Sequence, residues 1–467
     1  MGHAFVGVPR RDVAIGILGL ASWWLVGVWL FWGYQPRYDD FYYTLWARWW
    51  IEGNVIGLAE NWPGTLIRPY AYHLFLGGIG YPVPSLLVSE QTRLVVSAVQ
   101  IAVFGAASFR LARALGRFSR SLPRAVVGGL LCMPFAVLTN GEVLSESLSL
   151  SVAALAVSFS CPNGSSAAER RGNVVGVLLS LAVLAMTRTA HVPIALVASG
   201  AILLLLLVDV ARSRDRRREV ARGLILVGVG LAGWALVVAP QAALMWKHQQ
   251  AVPDDPTFWG VGSQQLLWSQ QIGKYATVVA GCPDAPTVGV LYPAPFADAS
   301  TASGDFQWYL IHPHVALWHL FQSLNWDFPT TYVSTLNPLV TVPLNAVSLL
   351  VAVGGLVTVI HFAPTLVRVL WRDAPSLGVM LGVFAGLWFQ TAFTAVETRF
   401  GILPWSALSV AAVWGAMLWW DRLRSGIGSW KPVVLVTVTT GILLAISRLA
   451  VAGVPAFQQL EAAGCWR

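Results

Sequence analysis

The sequence predicts an all-α protein that crosses a lipid membrane about eleven times, with interfacial helices and one external loop region in mid-chain. Hydrophobic residues make up 56% of its 467 residues and charged residues only 11%, and the mean hydropathy is +0.64. These values lie outside the usual range of soluble domains. The apolar residues are gathered into long runs, and most basic residues lie in the short segments between them. Together these observations exclude a soluble globular protein.

Eleven apolar runs have the length needed to cross a hydrocarbon core of roughly 30 Å. They cover about residues 13–33, 92–114, 124–140, 144–160, 173–188, 190–209, 221–245, 343–365, 376–396, 401–420 and 432–452. The first run exceeds 20 residues, follows Arg10 and Arg11, and has no small-residue cleavage site. It is therefore interpreted as the first membrane span and not as a cleavable signal.

The basic residues predict the orientation of these spans. With the N-terminus inside, the cytoplasmic segments hold 20 of the 30 Lys and Arg residues, including six Arg in the RSRDRRREVAR cluster. The external segments then hold 15 of the 22 acidic residues. This distribution follows the positive-inside rule at every short loop. The net charge of +8 is thus explained by membrane insertion, and it indicates no nucleic-acid partner.

Two long external segments divide the chain. We expect an N-terminal transmembrane module at 1–245, which includes a first external loop at 34–91, then an external loop region at 246–342 and a C-terminal transmembrane module at 343–467. The first loop ends in a Gly- and Pro-broken apolar stretch, interpreted as interfacial or partly buried. The sequence thus places the bulk of the polar, non-spanning chain on one side of the membrane.

The start of the first external loop carries two adjacent carboxylates, Asp39 and Asp40. The aromatic and apolar residues after them recur at helical spacing. The acids would therefore begin a short amphipathic helix at the membrane surface, where acidic residues complement the helix dipole and Trp and Tyr anchor at headgroups. A pair of solvated loop charges is the simpler alternative, but this placement favours a functional site.

The other charges close to the external surface lie at helix ends. Glu142 and Glu146 are four residues apart at the start of the fourth span, Arg188 ends the fifth, and Glu397 and Arg399 end the ninth. Ionisable groups at such depth are costly unless they pair or face a cavity. A structural Glu/Arg pair that ties helix ends together is one interpretation. A polar cavity shared with Asp39 explains all of these helix ends together.

Cysteine and histidine give weaker signals. The four Cys residues show no CxxC or Cys/His metal spacing. Cys282 and Cys465 are both predicted outside, where they could form a disulfide or remain free thiols, whereas Cys132 and Cys161 lie in or below the membrane. His312, His314 and His319 invite a metal interpretation, but no acidic partner falls at ligand spacing, and an amphipathic interfacial helix explains the same pattern.

Four segments, taken in order, resemble the GT-C superfamily of integral-membrane glycosyltransferases. They are YDDFYYTLWARWWIEG, NGEVLSESLSL, LAMTR and ETRFGILPW. The resemblance covers the order and topology of most of residues 1–420. It implies transfer of a sugar from a polyprenyl-phosphate donor to an acceptor at the external face of the cell membrane, with the first-loop Asp acting as base or helping to hold a metal. Unlike in many such enzymes, the external domain is expected in mid-chain, as a loop of about 100 residues, and no large soluble domain is expected after the last span.

This chemistry needs a base for the acceptor hydroxyl and a cation for the departing phosphate. Asp39 is the predicted base with Asp40 second, because a partly desolvated carboxyl beside another carboxylate should have a raised pKa. Arg399 is the predicted phosphate clamp, since guanidinium binds phosphate bidentately. The other predicted substrate-binding residues are Arg188, Glu142, Glu146, Glu397, Arg68 and His73. No cofactor is certain, and a divalent cation is an open alternative.

The predicted function is thus inverting glycosyl transfer in cell-envelope or cell-wall synthesis. A mannosyl or arabinofuranosyl group is the favoured transferred sugar. Its partners would be the lipid-linked donor, membrane lipids and a glycan, lipid or protein acceptor. The alternatives are a transporter or flippase of lipid-linked sugars and a non-catalytic scaffold. A transporter predicts internal repeats and polar groups near the membrane midplane, whereas the charges here lie at external helix ends.

Overall fold

A computed structural model gives the fold of this chain. It describes residues 8–30, 39–54, 57, 68–80, 83, 85, 91–134, 136–137, 143, 145–162, 173–212, 216–253, 260–278, 288–293, 299–324, 338–394 and 401–452.

The N-terminal half of the described chain is helical. Its helices are α1 (Arg10–Leu30), α2 (Asp39–Ile51), α3 (Ala71–Gly80), α4 (Gln91–Leu115), α5 (Leu122–Val126), α6 (Ser145–Ser160), α7 (Val174–Ala185), α8 (Val192–Arg212) and α9 (Arg216–Ala251). The helix α5 continues directly into a π-helical segment, Val127–Leu131.

The second half combines short elements with long helices. The short elements are α10 (Gly260–Gln271), β1 (Ile272–Val278), β2 (Val288–Pro293), α11 (Trp308–Ile311) and α12 (Pro313–Ser323). The remaining helices are α13 (Pro338–Asp373), α14 (Pro375–Gln390), α15 (Ile402–Arg424) and α16 (Lys431–Ala452). A 3-10 turn, Thr391–Phe393, follows α14.

Eight of the described helices are long and apolar enough to span a membrane. They cover Arg10–Val28, Gln91–Leu115, Thr189–Ala211, Val220–Ala251, Pro343–Asp373, Pro375–Phe393, Ile402–Arg424 and Lys431–Leu449. The other three predicted spans correspond to shorter apolar helices, Leu122–Leu131, Ser145–Ser160 and Val174–Ala185. The helical fold class and the multi-pass character are confirmed, whereas the number of eleven crossings stays a prediction.

One element of the region at 246–342 was not predicted. The strands β1 and β2 form an antiparallel pair, in register from Lys274 opposite Tyr292 to Val278 opposite Val288. Both strands are rich in β-branched and aromatic residues, which fit an extended backbone better than a helix. The loop composition, rich in Pro and Asp, concealed this local pattern.

The main core lies where α4 to α8 meet α14 and α15. Close helix contact depends on Gly129 in the π-helical segment, because a Cβ there would lie 2.7 Å from backbone atoms of Val410. The same approach lets the Ser409 hydroxyl donate to the Gly129 carbonyl oxygen at 2.6 Å. A second, smaller core joins α2 and α3 to α4 around Ala47, Leu76 and Val96.

Candidate functional site

The helix α2 begins at Asp39, as the sequence predicts. Four residues later on the same helix, Tyr43 is buried, with its ring 5.0 Å from Tyr72 on α3 in an edge-to-face arrangement. Residues four apart in a helix share a face, about 6 Å apart along the axis. Position 39 therefore lies one helical turn before the contact between α2 and α3.

Tyr43 also links α2 to the start of α6. Its hydroxyl forms a 3.1 Å hydrogen bond with the hydroxyl of Ser145. Ser145 in turn donates to Glu146 Oε2 at 3.3 Å. A short hydrogen-bonded path thus joins the helix that begins at Asp39 to the buried carboxylate of Glu146.

Glu146 forms an ion pair with Arg188, as Arg188 Nη1 donates to Glu146 Oε1. Only 2% of the Glu146 side chain and 16% of the Arg188 side chain are exposed. Removing both charges from water costs several kcal/mol each, so a buried pair persists only where geometry and further hydrogen bonds compensate. The structure therefore brings together two of the predicted site residues, 42 positions apart in the chain.

The turn that carries Arg188 is held by hydroxyl groups. Ser149 donates to Thr187 Oγ1 at 2.8 Å, and Thr187 donates to the Leu184 carbonyl at 2.6 Å. His191 Nδ1 lies 3.2 Å from the same Thr187 oxygen. These contacts fix the end of α7 against α6, which holds the guanidinium of Arg188 beside Glu146.

The same turn anchors the start of α3. The backbone N–H of Ala71 donates to the Met186 carbonyl at 3.1 Å. The backbone N–H of Tyr70 donates to Gln241 Oε1 at 3.1 Å, and its phenol donates to the Val237 carbonyl at 2.6 Å. Elements α2, α3, α6, α9 and the turn after α7 therefore meet at one place, which we call the Glu146 cluster (Tyr43, Ser145, Glu146, Ser149, Thr187, Arg188).

His73 lies in the wall of this cluster and is fully buried. Its ring is 5.5 Å from Tyr43 and 5.1 Å from Trp46. Burial, and secondarily the charge of half-buried Arg68, lowers the pKa of His73 from 6.5 to about 3. The imidazole is thus neutral at pH 7, and within the described part of the chain neither ring nitrogen has a hydrogen-bond partner.

A second polar cluster joins the region at 246–342 to the end of α14. Ser269 bonds the Tyr309 hydroxyl and donates to the Phe393 carbonyl at 3.2 Å. His319 donates Nδ1–H to the Ala392 carbonyl at 3.0 Å. Burial lowers the pKa of His319 to about 4 and raises that of Tyr309 to about 12. Both side chains are therefore neutral near pH 7 and serve to dock α10 and α12 at the end of α14.

His312, His314 and His319 are not arranged to bind a metal ion together with other described residues. His319 is committed to a backbone carbonyl, whereas His312 stacks on Trp308 at 4.0 Å. In the ranges that the structure describes, no group of three or more His, Cys, Asp or Glu side chains is placed to hold a metal.

Several predicted residues lie outside the described part of the chain. They are the side chains of Asp39 and Asp40, and the whole of Glu142, Glu397, Arg399, Cys282 and Cys465. The distance from Asp39 to Arg399, the shared external cavity and the disulfide therefore stay predictions. Cys132 and Cys161 are free thiols.

The residue two positions after Arg399 is described. Gly401 is the N-cap of α15 and lies against the Ser323 carbonyl at the end of α12, so close that no Cβ would fit. The Trp388 indole N–H also donates to the Ser323 hydroxyl at 3.0 Å. Helix α12 is thus joined to the start of α15 and the end of α14.

Sequence reasoning missed the uncharged members of the Glu146 cluster. Ser145 and Ser149 lie four residues apart in a serine-rich stretch, a spacing that places both on one helix face. A serine stripe inside an apolar span was therefore the available signal. Gln241 lies outside this cluster and accepts a hydrogen bond from the backbone N–H of Tyr70. It carried no such signal, because it is a single amide in a long apolar helix.

No protein-family model and no curated protein matches this chain. Among solved structures, the crystal structure of ArnT from Cupriavidus metallidurans bound to undecaprenyl phosphate is similar, with a TM-score of 0.48 and 13% sequence identity. The match covers 94% of this chain and 64% of that chain, so the present chain spans less than two thirds of that protein's length. At this level the likeness carries no inference about ligands, catalytic residues or mechanism.

Proposed function

We propose that this protein is a membrane glycosyltransferase that moves a sugar from a polyprenyl-phosphate donor to an acceptor hydroxyl at the external face. The observation that carries the proposal is the buried Glu146–Arg188 pair, joined through Ser145 and Tyr43 to the helix that begins at Asp39. Three of the four motifs that resemble the GT-C superfamily contribute these residues, and the fourth contains Arg399. Transfer of a sugar from a phosphate to a hydroxyl requires an acidic group that accepts the hydroxyl proton and a basic group that stabilises the leaving phosphate. Both kinds of group are found here, on separate helix ends.

The roles follow from the chemistry of each group. Asp39 removes the proton of the acceptor hydroxyl, with Asp40 as the second candidate, and the acceptor oxygen displaces the phosphate at the anomeric carbon with inversion. Arg399 neutralises the phosphate as it leaves. In-line displacement places base and phosphate on opposite sides of one sugar ring, so Asp39 and Arg399 should lie roughly 8 to 14 Å apart.

Arg188 is assigned a different role from Arg399. Its guanidinium is paired with Glu146, so the pair would orient sugar or acceptor hydroxyls through its remaining donors and acceptors. Glu142 and Glu397 would contribute further hydroxyl contacts. Arg68 would add positive charge close to His73, beside the Glu146 cluster. A divalent cation held by Asp39 is the alternative to simple base catalysis.

A transfer assay with purified protein in sealed proteoliposomes tests this function. Polyprenyl-phosphate donors carrying mannose, arabinofuranose, glucose or an amino sugar are each mixed with glycan, lipid and peptide acceptors, with and without Mg²⁺ or Mn²⁺. We expect one donor to release free polyprenyl phosphate in step with glycosylated acceptor. Release with none of the donors, or sugar-lipid movement across the bilayer without transfer, would overturn the proposal.

Two substitutions separate the predicted roles. Asp39→Asn should abolish turnover while donor binding stays nearly intact, because the base acts in the transition state. Arg399→Ala should weaken donor binding as well, because its charge is used in both states. Glu52→Gln, at an exposed acid directly after α2, is the matched control and should retain full activity. Near-full activity of Asp39→Asn would exclude Asp39 as the base.

A further inference from the structure

Arg448 lies near the end of α16 that is opposite its cytoplasmic start. The helix begins at Lys431, and 17 residues of α-helix rise by about 26 Å, close to the thickness of a hydrocarbon core. In the predicted topology Arg448 is therefore near the external surface. Basic residues are disfavoured there during insertion, so this arginine runs against the charge pattern of the rest of the chain.

The guanidinium of Arg448 has an unused binding edge. Its Nε and Nη2 atoms are buried, and neither has a hydrogen-bond partner among the described residues. These two nitrogens form one side of the planar guanidinium, with parallel N–H groups that match two oxygens of a phosphate or carboxylate. A buried cation whose bidentate edge lacks an acceptor is costly. An anion at this edge would remove that cost.

The neighbouring polar groups are neutral. Asn345 on α13 donates to the Ser447 hydroxyl at 3.2 Å, and both residues are fully buried between α13 and α16. We call this contact between α13 and α16 the seam. One turn along α13, the Ser348 hydroxyl donates to the Leu324 carbonyl at 3.0 Å, which connects the seam to the end of α12. These groups make the seam polar, but they carry no charge that balances Arg448.

The seam borders a surface that faces lipid. On either side of Arg448 along α16, Ile446 is 40% exposed and Leu449 is 75% exposed, as expected for side chains that contact acyl or prenyl chains. A ligand that supplies an anion here must therefore have an apolar part that is compatible with this surface. A lipid with a phosphate headgroup has both features.

We propose that Arg448 binds the phosphate group of a lipid in the external leaflet, through its Nε and Nη2 edge, with the apolar chain of the lipid along α16. The shared chemistry is a lipid phosphate, and either a polyprenyl phosphate or an anionic glycerophospholipid supplies it. This site stands on Arg448 alone and does not require Asp39 or transfer activity.

Binding measurements test the site without turnover. Native mass spectrometry of the purified full-length protein would be titrated with decaprenyl phosphate, phosphatidylglycerol and inorganic phosphate. A bidentate charge-assisted contact contributes about one to two orders of magnitude in affinity. Arg448→Gln should therefore weaken binding of at least one of the two lipids about tenfold or more. Lys431→Gln, at the other end of the same helix, is the matched control and should bind as the unchanged protein does.

Each outcome decides the proposal. Equal lipid binding by Arg448→Gln and the unchanged protein overturns it, as does an effect on inorganic phosphate alone. Selective loss of decaprenyl phosphate or of phosphatidylglycerol supports it and identifies the source of the phosphate. Should Arg448→Gln fail to fold, Arg448→Lys keeps the charge and removes the bidentate edge, and its lipid affinity must fall. Loss of binding with unchanged sugar transfer would leave the proposed function intact.

Discussion

Glu146 and Arg188 come from different elements, and each is largely removed from water. In such a pair the charges depend on each other, because either one alone would be left buried without compensation. The pair also closes the Glu146 cluster, since α6 supplies the carboxylate and the turn after α7 supplies the guanidinium. Its contribution can therefore be measured both in stability and in activity.

A double-mutant cycle on this pair should show strong coupling. Glu146→Gln or Arg188→Gln alone should each lower the free energy of unfolding by roughly 3 to 5 kcal/mol, because a single buried charge remains. The double variant should cost clearly less than the sum of the two. Reversible unfolding in mixed micelles would measure all three variants.

The exposed pair Arg48–Glu52 provides the control for that cycle. Both of its side chains are 46% exposed, and the residues are four apart on one helix. Glu52→Gln should therefore change stability by less than about 1 kcal/mol. Additive effects at Glu146 and Arg188 would show that their ion pair contributes nothing beyond each residue's own contacts.

At the scale of elements, the close contact between α12 and α15 depends on one glycine. Gly401 lies against the Ser323 carbonyl, with no room for a side chain. Because backbone atoms form this contact, relief requires one helix end to move. The positions of α12 and of the start of α15 are therefore coupled.

Gly401→Ala should separate these two helix ends and destabilise the protein by about 1 to 3 kcal/mol, as overpacking does. Gly382→Ala is the matched control, since nothing lies within 4 Å of a Cβ at this position in α14. In a helix, that control should be neutral or stabilising by up to about 1 kcal/mol. Thermal unfolding compares the two. Equal stability of Gly401→Ala and the unchanged protein would show that the contact is loose.

Elements whose signal is local were predictable from the sequence. The start of α2 at Asp39 follows from an acidic first turn and a helical aromatic pattern. A structural Glu/Arg pair between helix ends was one of two interpretations of these charges, and Glu146 and Arg188 form such a pair. The polar cavity shared with Asp39 stays a prediction. The complete burial of His73 was not predictable, because it depends on how α3 packs against Tyr43 and Trp46. Arg448 was overlooked inside an apolar run, because the contact of the preceding residue, Ser447, with Asn345 on α13 joins positions 102 residues apart in the chain.

At the scale of the whole molecule, the long helices contribute apolar outer surfaces and the short ones contribute the site. In the most apolar stretch of Val220–Ala251 only 11% of the residues are buried inside the protein, and in that of Lys431–Leu449 only 17%. Helices α9 and α16 therefore mainly face lipid. By contrast, most residues of α6 and α7 are buried. Polar groups of α6 are therefore shielded from lipid by the surrounding helices.

The orientation of this assembly decides on which side of the membrane the Glu146 cluster faces. The charge count predicts an internal N-terminus, an internal RSRDRRREVAR cluster and an external region at 246–342. Single cysteines at Asp215→Cys and Asp298→Cys, in a background with the four native Cys replaced by Ser, test this with a membrane-impermeant maleimide. Position 298 should label in intact cells, whereas position 215 should label only after the membrane is permeabilised. The reverse pattern would place Glu146, Arg188 and the start of α2 at the cytoplasmic face. An acceptor outside the cell could then not reach them, and both the external transfer reaction and an external-leaflet lipid at Arg448 would be excluded together.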